Sequence, residues 1–248
     1  MKSKQSGFTL IEIAIVLVII GLLLGGVLKG QELINSAKVK NLATDFKNIP
    51  VYIYGYQDKF RSLPGDDASA DTHLGGQCTT TTCIASTPKT CNNGNAGGSA
   101  AGTCVGNGLI DGLWNSTTTT DEVQVFWQQV RLAGLAPGPT ALSATVTDFR
   151  PTNASGGLIG IQSGSSQTNF YPMTDSSGNP IRGTYIVCSD GILGKFVKQL
   201  DIQMDDGATD SGSMMAISSG SKYGSKAVPT TGTGGIDDAG TYTVCMGI

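Results

Sequence analysis

Residues 8–28 read FTLIEIAIVLVIIGLLLGGVL, 21 positions with a single charge, Glu12. As a helix this run is roughly 31 Å long, which matches the hydrocarbon core of a bilayer. A buried helix of a soluble domain is seldom apolar on every side over such a length. Residues 8–28 are therefore expected to sit in a membrane, and the rest of the chain must fold beside that anchor. An ordinary secretory signal fits less well, because its apolar stretch spans about 7–15 residues and ends in a small-residue cut site. Here the small residue, Gly7, precedes the run and follows the polar leader MKSKQS.

Glu12 is the anomaly in this segment. A carboxylate at the centre of a membrane helix costs about 2.5–3.5 kcal/mol, and less towards an end. No cation lies within a helical turn inside the run. A cut after Gly7 would create one, because Phe8 would then carry a free amine. Within one chain that amine lies about a turn from Glu12, and in an assembly a neighbouring chain could supply it.

The segment Gly7-Phe8-Thr9-Leu10-Ile11-Glu12, behind a leader that bears Lys2 and Lys4, resembles the type III signal of type IV prepilins and type II secretion pseudopilins. The resemblance implies cleavage between Gly7 and Phe8 by a prepilin peptidase, which also N-methylates Phe8. It further implies that Glu12 pairs with the Phe8 amine of an adjoining subunit as a filament grows. Lys29, Lys38 and Lys40 follow the run, so a count of flanking positive charge does not choose an orientation. The leader and the cysteines below place the C-terminal bulk outside the cytoplasm.

Beyond residue 28 the chain turns polar but keeps a helical period. Leu42, Phe46, Ile49, Ile53, Tyr56 and Phe60 are spaced by alternate steps of four and three, the stripe of an amphipathic helix with one buried face. Pro50 interrupts the segment, yet the stripe continues in phase, which predicts one kinked helix in place of two. Leu63-Pro64-Gly65-Asp66-Asp67 then stops it. The small-residue pairs Gly21/Gly25 and Gly26/Gly30 let another backbone come close in a membrane.

Residues 63–120 shift in composition, with two Thr-Thr-Thr-Thr runs, four cysteines and few charges, and read as a Gly/Thr/Cys-rich loop or insertion. A short helix with Val123, Phe126, Trp127 and Val130 on one face follows Asp121 and closes at Gly134. Four β-like segments are expected near residues 158–161, 184–188, 214–217 and 241–245. A helix through Leu193, Phe196, Val197, Leu200 and Met204 lies between the second and third and ends at Gly207. Residues 121–248 are thus a helix-plus-antiparallel-sheet head.

The later chain also resembles a group of pilin-like proteins. In these a Tyr-rich helix end leads into Leu-Pro-Gly-Asp, as at 63–66, and a Phe-Trp-Gln-Gln segment precedes Ala-Gly-Leu, as at 126–129 and 133–135. An Asp-x-x-x-Asp-Asp-Gly turn matches Asp201 and Asp205-Asp206-Gly207. Six cysteines, at 78, 83, 91, 104, 188 and 245, all follow the apolar run, which suits disulfides in an exported, loop-rich domain. Their pairing is not fixed by spacing. The pilin resemblance implies a Cys188–Cys245 bridge, which leaves Cys78, Cys83, Cys91 and Cys104 to staple the insertion. A zinc site among those four lacks a Cys-x-x-Cys pair.

The remaining chemistry is sparse. The charge balance is 16 Lys+Arg against 19 Asp+Glu, a net -3, so no basic surface recommends nucleic acid as a partner. Asp201, Asp205, Asp206 and Asp210 are dense enough to offer oxygen ligands to calcium, as are Asn107 and Asp111. Neither set has EF-hand spacing, and a solvated, capped turn explains them equally. The one histidine, His73, has no neighbouring nucleophile motif, and no cofactor is called for. Asn115 and Asn153 fit the glycosylation sequon without further support.

The chain is expected to be α+β and pilin-like: a long N-terminal helix, transmembrane at 8–28 and amphipathic over 29–62, packed on a small antiparallel sheet with a loop-rich, disulfide-containing head. Its expected role is non-enzymatic: a structural subunit of a type IV pilus or type II secretion pseudopilus, without its leader 1–7. Its partners would be other pilin subunits in a homo- or heteropolymer, the prepilin peptidase and the inner membrane. It would begin as a single-pass inner-membrane protein and end in a periplasmic or cell-surface filament. The alternative role is a minor tip pilin that binds a surface, DNA or a secretion substrate.

Overall fold

Helix α1 (Leu10–Phe60) runs for 51 residues, roughly 77 Å at the usual rise. The computed structural model describes residues 10–74, 106, 108–118, 121–140, 149–164 and 171–248. The two halves of α1 differ in burial. The leucines, isoleucines and valines of residues 10–34 are all exposed, whereas Val39, Leu42, Ala43, Phe46, Ile49, Ile53 and Tyr56 are buried. Pro50 lies inside α1, and the helix is one element across it. Proline there costs about 3 kcal/mol. Fully burying one Leu- or Phe-sized side chain returns about 1.5–3 kcal/mol, so the in-phase stripe on both sides offsets that cost. The helix stops at Phe60, two residues short of the expected end, where Arg61 turns left-handed at φ 56°.

After α1 come α2 (Ala70–His73), α3 (Glu122–Leu132), β1 (Ile159–Ser163), β2 (Met173–Thr174), β3 (Tyr185–Leu193), α4 (Gly194–Met204), β4 (Met214–Ser218), β5 (Ser225–Lys226) and β6 (Thr241–Gly247). Four strands form an antiparallel sheet in the order β1-β3-β6-β4. The two-residue strands β2 and β5 pair in parallel. Helix α4 packs against α1, and α3 contacts both α1 and β1.

Strand alternation gives the sheet two buried faces. Tyr242, Val244 and Met246 of β6 join the core that holds the α1 stripe, together with Phe196, Val197 and Leu200 of α4. Cys245 faces the other way, into a second core with Trp114, Met173, Ile186, Cys188, Met215 and Ile217. The sheet is therefore covered by helices on the stem side and by loops and the small β2–β5 ladder on the outer side. Gly160 makes the second layer feasible. A side chain there would overlap the Trp114 carbonyl and lie 3.0 Å from the indole.

The stretch 63–120, expected as a loop or insertion, is tied into the core at several of its described residues. Leu63, Leu74, Ile110 and Trp114 are buried, and α2 lies within it. Its apolar residues are too widely spaced to show a period, yet each fills a gap beside α1, α3 or the sheet.

Candidate functional site

The apolar stem is the first functional feature. Among the described residues one helix, α1, is long and apolar enough to cross a membrane, with a mean hydropathy of 2.8 in its best 18-residue window and none of that window buried. Glu12 lies in its first turn. Among the described residues, and leaving aside the backbone of α1 itself, a Cβ added at Gly21, Gly25, Gly26 or Gly30 would meet no atom within 4 Å, so these faces stand open to a neighbour. Lys29 and Glu32 form an exposed ion pair at 2.6 Å just past the apolar run. Gly7 and Phe8 lie outside the described residues.

The junction of stem and head is built by the Leu-Pro-Gly-Asp turn. Gly65 takes φ +96°, and a Cβ there would come within 2.9 Å of the Glu122 carbonyl. Its amide donates to Gln129 Oε1 at 2.6 Å, which ties the turn to α3. Asp67 is the hub: its carboxylate accepts from Tyr56 Oη at 2.7 Å, from the Ser69 amide at 2.9 Å, and lies 2.8 Å from His73 Nδ1. His73 stacks on Phe60 with centroids 5.5 Å apart. Burial, with Asp67 beside it, pushes the Tyr56 hydroxyl pKa upward. These groups brace the helix end, and no nucleophile stands among them.

Helix α3 is buried on every side, not on one apolar face as expected. Glu122, Gln124, Gln128 and Gln129 are as enclosed as Phe126 and Trp127. Their polar ends serve the surrounding loops: Glu122 Oε2 accepts the Asp111 amide at 2.7 Å, Gln124 Nε2 donates to the Ser116 carbonyl, and Gln128 Nε2 donates to the Thr140 carbonyl. Ser116 Oγ makes a short hydrogen bond to Asp121. Burial pushes the Glu122 carboxyl up to about 9, and nearby Asp111, Asp66 and Asp121 add to the rise. Arg131 donates to the carbonyls of Pro137, Pro139 and Phe149 and lies 4.7 Å over the Phe149 ring. Burial lowers its pKa to about 10, so it stays charged at neutral pH. Leu135 packs on Gly55, with Cδ2 3.2 Å from where a Cβ would stand, so Ala133-Gly134-Leu135 seats α3 against α1.

The acidic turn after α4 uses its carboxylates as backbone acceptors. Asp201 Oδ1 takes the Gly207 amide at 2.7 Å, Asp206 Oδ1 the Ala208 amide at 2.8 Å, and Asp205 Oδ2 the amides of Ser213 and Met214. Asp210 contributes its carbonyl to the Ser176 amide. Burial raises Asp201 to about 6. Among the described residues no group of three or more His, Cys, Asp or Glu is arranged to hold a metal ion. Asp201, Asp205 and Asp206 pin the turn after α4 through their carboxylates, and Asp210 ties it to Ser176 through its carbonyl. Asn107 lies outside the described residues, as do Cys78, Cys83, Cys91 and Cys104.

Cys188 and Cys245 are joined by a disulfide between directly paired residues of β3 and β6. One extra residue in β3, between Ser189 and Ile192, bulges the strand beside it, with Gly191 at φ +69°. Asn153, one of the two sequon asparagines, is buried and donates its amide to Ser189 Oγ and the Asp190 carbonyl, both at 2.7 Å. It therefore holds the bulge in place. Nothing in the periodicity marks Asn153, Asp190 or Arg150, because each acts through loops that meet only in three dimensions.

Residues 2–28 match the family model for the prokaryotic N-terminal methylation motif. The chain carries that motif. It is the hallmark of prepilin-type proteins, both type IV pilins and pseudopilins. No curated protein and no solved structure matches the chain. The motif covers the leader and the bare part of α1, and the helix it begins is packed on an antiparallel sheet closed by Cys188–Cys245, an α+β pilin-like architecture.

Proposed function

We propose that this chain is a structural subunit of a type IV pilus or type II secretion pseudopilus. It enters the inner membrane through residues 8–28 with its head outside the cytoplasm, is cut after Gly7 by a prepilin peptidase and is N-methylated at Phe8. It then polymerises with other pilin subunits through α1. The observation that carries this reading is the coincidence of the methylation motif at residues 2–28 with a helix whose N-terminal half is apolar and bare. Apolar surface on that scale must be covered by lipid or protein, and the same half-helix serves both in turn. Glu12 sets the register by accepting the Phe8 amine of an adjoining subunit, an ion pair made where water is scarce.

The test is the mass of the N-terminal peptide from membranes and from sheared surface material. The expected species begins at a methylated Phe8. Material that begins at Met1 in both fractions would sink the proposal.

A further inference from the structure

The outer face of the sheet, turned away from α1, carries a cavity of about 130 Å³. An apolar cavity of about 150 Å³ takes a bare benzene ring, so a substituted ring can enter this one only with its substituents projecting from the mouth. Its mouth is set by Asn115, Gly220 and Ser221, all exposed. Trp114 and Tyr223 supply aromatic walls, and Arg150 and Asp190 supply one charge of each sign.

The two charges are held from behind. The buried Arg150 donates from Nη1 to the Trp114 carbonyl at 2.9 Å, while its Nε–H has no acceptor among the described residues. Asp190 Oδ1 accepts from Ser219 Oγ at 2.7 Å and from Thr243 Oγ1 at 2.6 Å. Burial lowers the Arg150 pKa while Tyr223 and Asp190 favour its charged form, yet Arg150 and Asp190 form no salt bridge. The β3 bulge places Asp190, as bulges commonly re-aim side chains beside binding sites, and Asn153 grips its backbone. A rigid backing of this kind is what a preorganised site needs.

A guanidinium and a carboxylate that line one aromatic-walled cavity without a salt bridge between them fit a ligand that both accepts and donates. Asp190 Oδ1 already takes two hydroxyl donors, which leaves Oδ2 to accept from a hydroxyl of the ligand. Ring C–H faces would lie on Trp114 or Tyr223, and hydroxyls at the rim would meet the polar groups.

We infer that this cavity binds one pyranose unit of a glycan. The inference rests on the subunit reading for its setting only: a face turned away from the stem is one that a filament presents to its surroundings.

The test uses the full processed chain in a detergent without a sugar headgroup, with saturation-transfer NMR. The probes are glucose, galactose, mannose and N-acetylglucosamine, with glycine and alanine as zwitterions. At least one pyranose is expected to show transfer. Binding should weaken about tenfold or more in Asp190→Asn, the loss of one charge-assisted hydrogen bond. Ser221→Trp, which plugs the exposed mouth without touching the core, should abolish it at an unchanged melting temperature. Three results overturn the site: no transfer to any pyranose, equal transfer with Ser221→Trp, or transfer to the amino acids alone. Filament yield from the wild-type chain, read beside its sugar binding, separates the two readings. A chain that polymerises but binds no sugar sinks the site alone, and one that binds sugar but never polymerises sinks the subunit reading alone.

Discussion

Glu122 keeps its proton at neutral pH because burial and three neighbouring aspartates push its carboxyl up to about 9. A carboxyl whose pKa is higher folded than unfolded binds its proton more tightly in the native state, so stability falls as pH rises between the two values. The Glu122 contribution is complete below the ordinary glutamate range and is lost as pH climbs through about 9. Asp201 and Asp45, raised to about 6 by burial, act with the same sign but finish lower. Glu122→Gln keeps an acceptor for the Asp111 amide and removes the titration. Thermal melts should show the wild type losing stability up to about pH 9 and the variant levelling off above the aspartate range. Parallel curves would contradict the assignment. At the Asp67 hub the cost is in lost hydrogen bonds. Tyr56→Phe removes one donor and should cost about 1 kcal/mol, whereas Asp67→Ala strands the buried Tyr56 hydroxyl and two part-buried donors and should cost about 2 kcal/mol. Denaturant midpoints that do not separate the two variants would show that the hub contributes little.

At the scale of elements, the disulfide joins strands 57 residues apart in sequence. The chain-entropy account gives about 4 kcal/mol for a loop of that length, or a melting shift of about 10 °C in a head of this size. Replacing Cys188 and Cys245 by Ser should lower the head's melting temperature by that order and leave leader removal intact. A shift of a degree or two would mean that β3–β6 pairing alone already restrains the chain. How much of the fold was legible follows from how local each signal is. The α1 stripe is written at steps of three and four within one helix, so Leu42 to Tyr56 could be picked out by spacing. The four long strands and α4 were legible for the same reason. Helix α3 was only half legible: Glu122, Gln124, Gln128 and Gln129 look like a wet face, and the loops that bury them come from distant segments. Residues 63–74 and 108–118 show no period at all, and β2 and β5 are too short to carry one. The bulge that aims Asp190 is a property of a strand pair, and no single segment records it. Of the proposed site residues, Glu12 stands out in the sequence because it is the single charge in the apolar run of residues 8–28. Arg150 and Asn153 look like ordinary polar loop residues until the chain is folded.

For the whole molecule, the proposed role requires the same α1 to satisfy two environments, and Glu12 would affect them with opposite sign. In the bilayer a carboxylate costs up to about 2.5–3.5 kcal/mol, so Glu12→Ala should insert at least as well as the wild type and be cut after Gly7 at the same rate. In the filament the carboxylate is proposed to take the Phe8 amine of the adjoining subunit, and its loss leaves that amine without a counter-charge in a water-poor core. The penalty of an unmatched buried charge is several kcal/mol, enough to reduce polymer yield by orders of magnitude when repeated at every subunit. Glu12→Ala should therefore accumulate as processed, membrane-held monomer, with little or no sheared filament. Glu12→Gln, which keeps the shape and an acceptor but not the charge, should fall between the two. Processing is the internal control, because a variant that loses both cleavage and assembly has failed at the membrane. Normal filament yield from Glu12→Ala with normal processing would show that the acid does not drive subunit addition, and the apolar faces opened by Gly21, Gly25, Gly26 and Gly30 would have to set the register by packing alone.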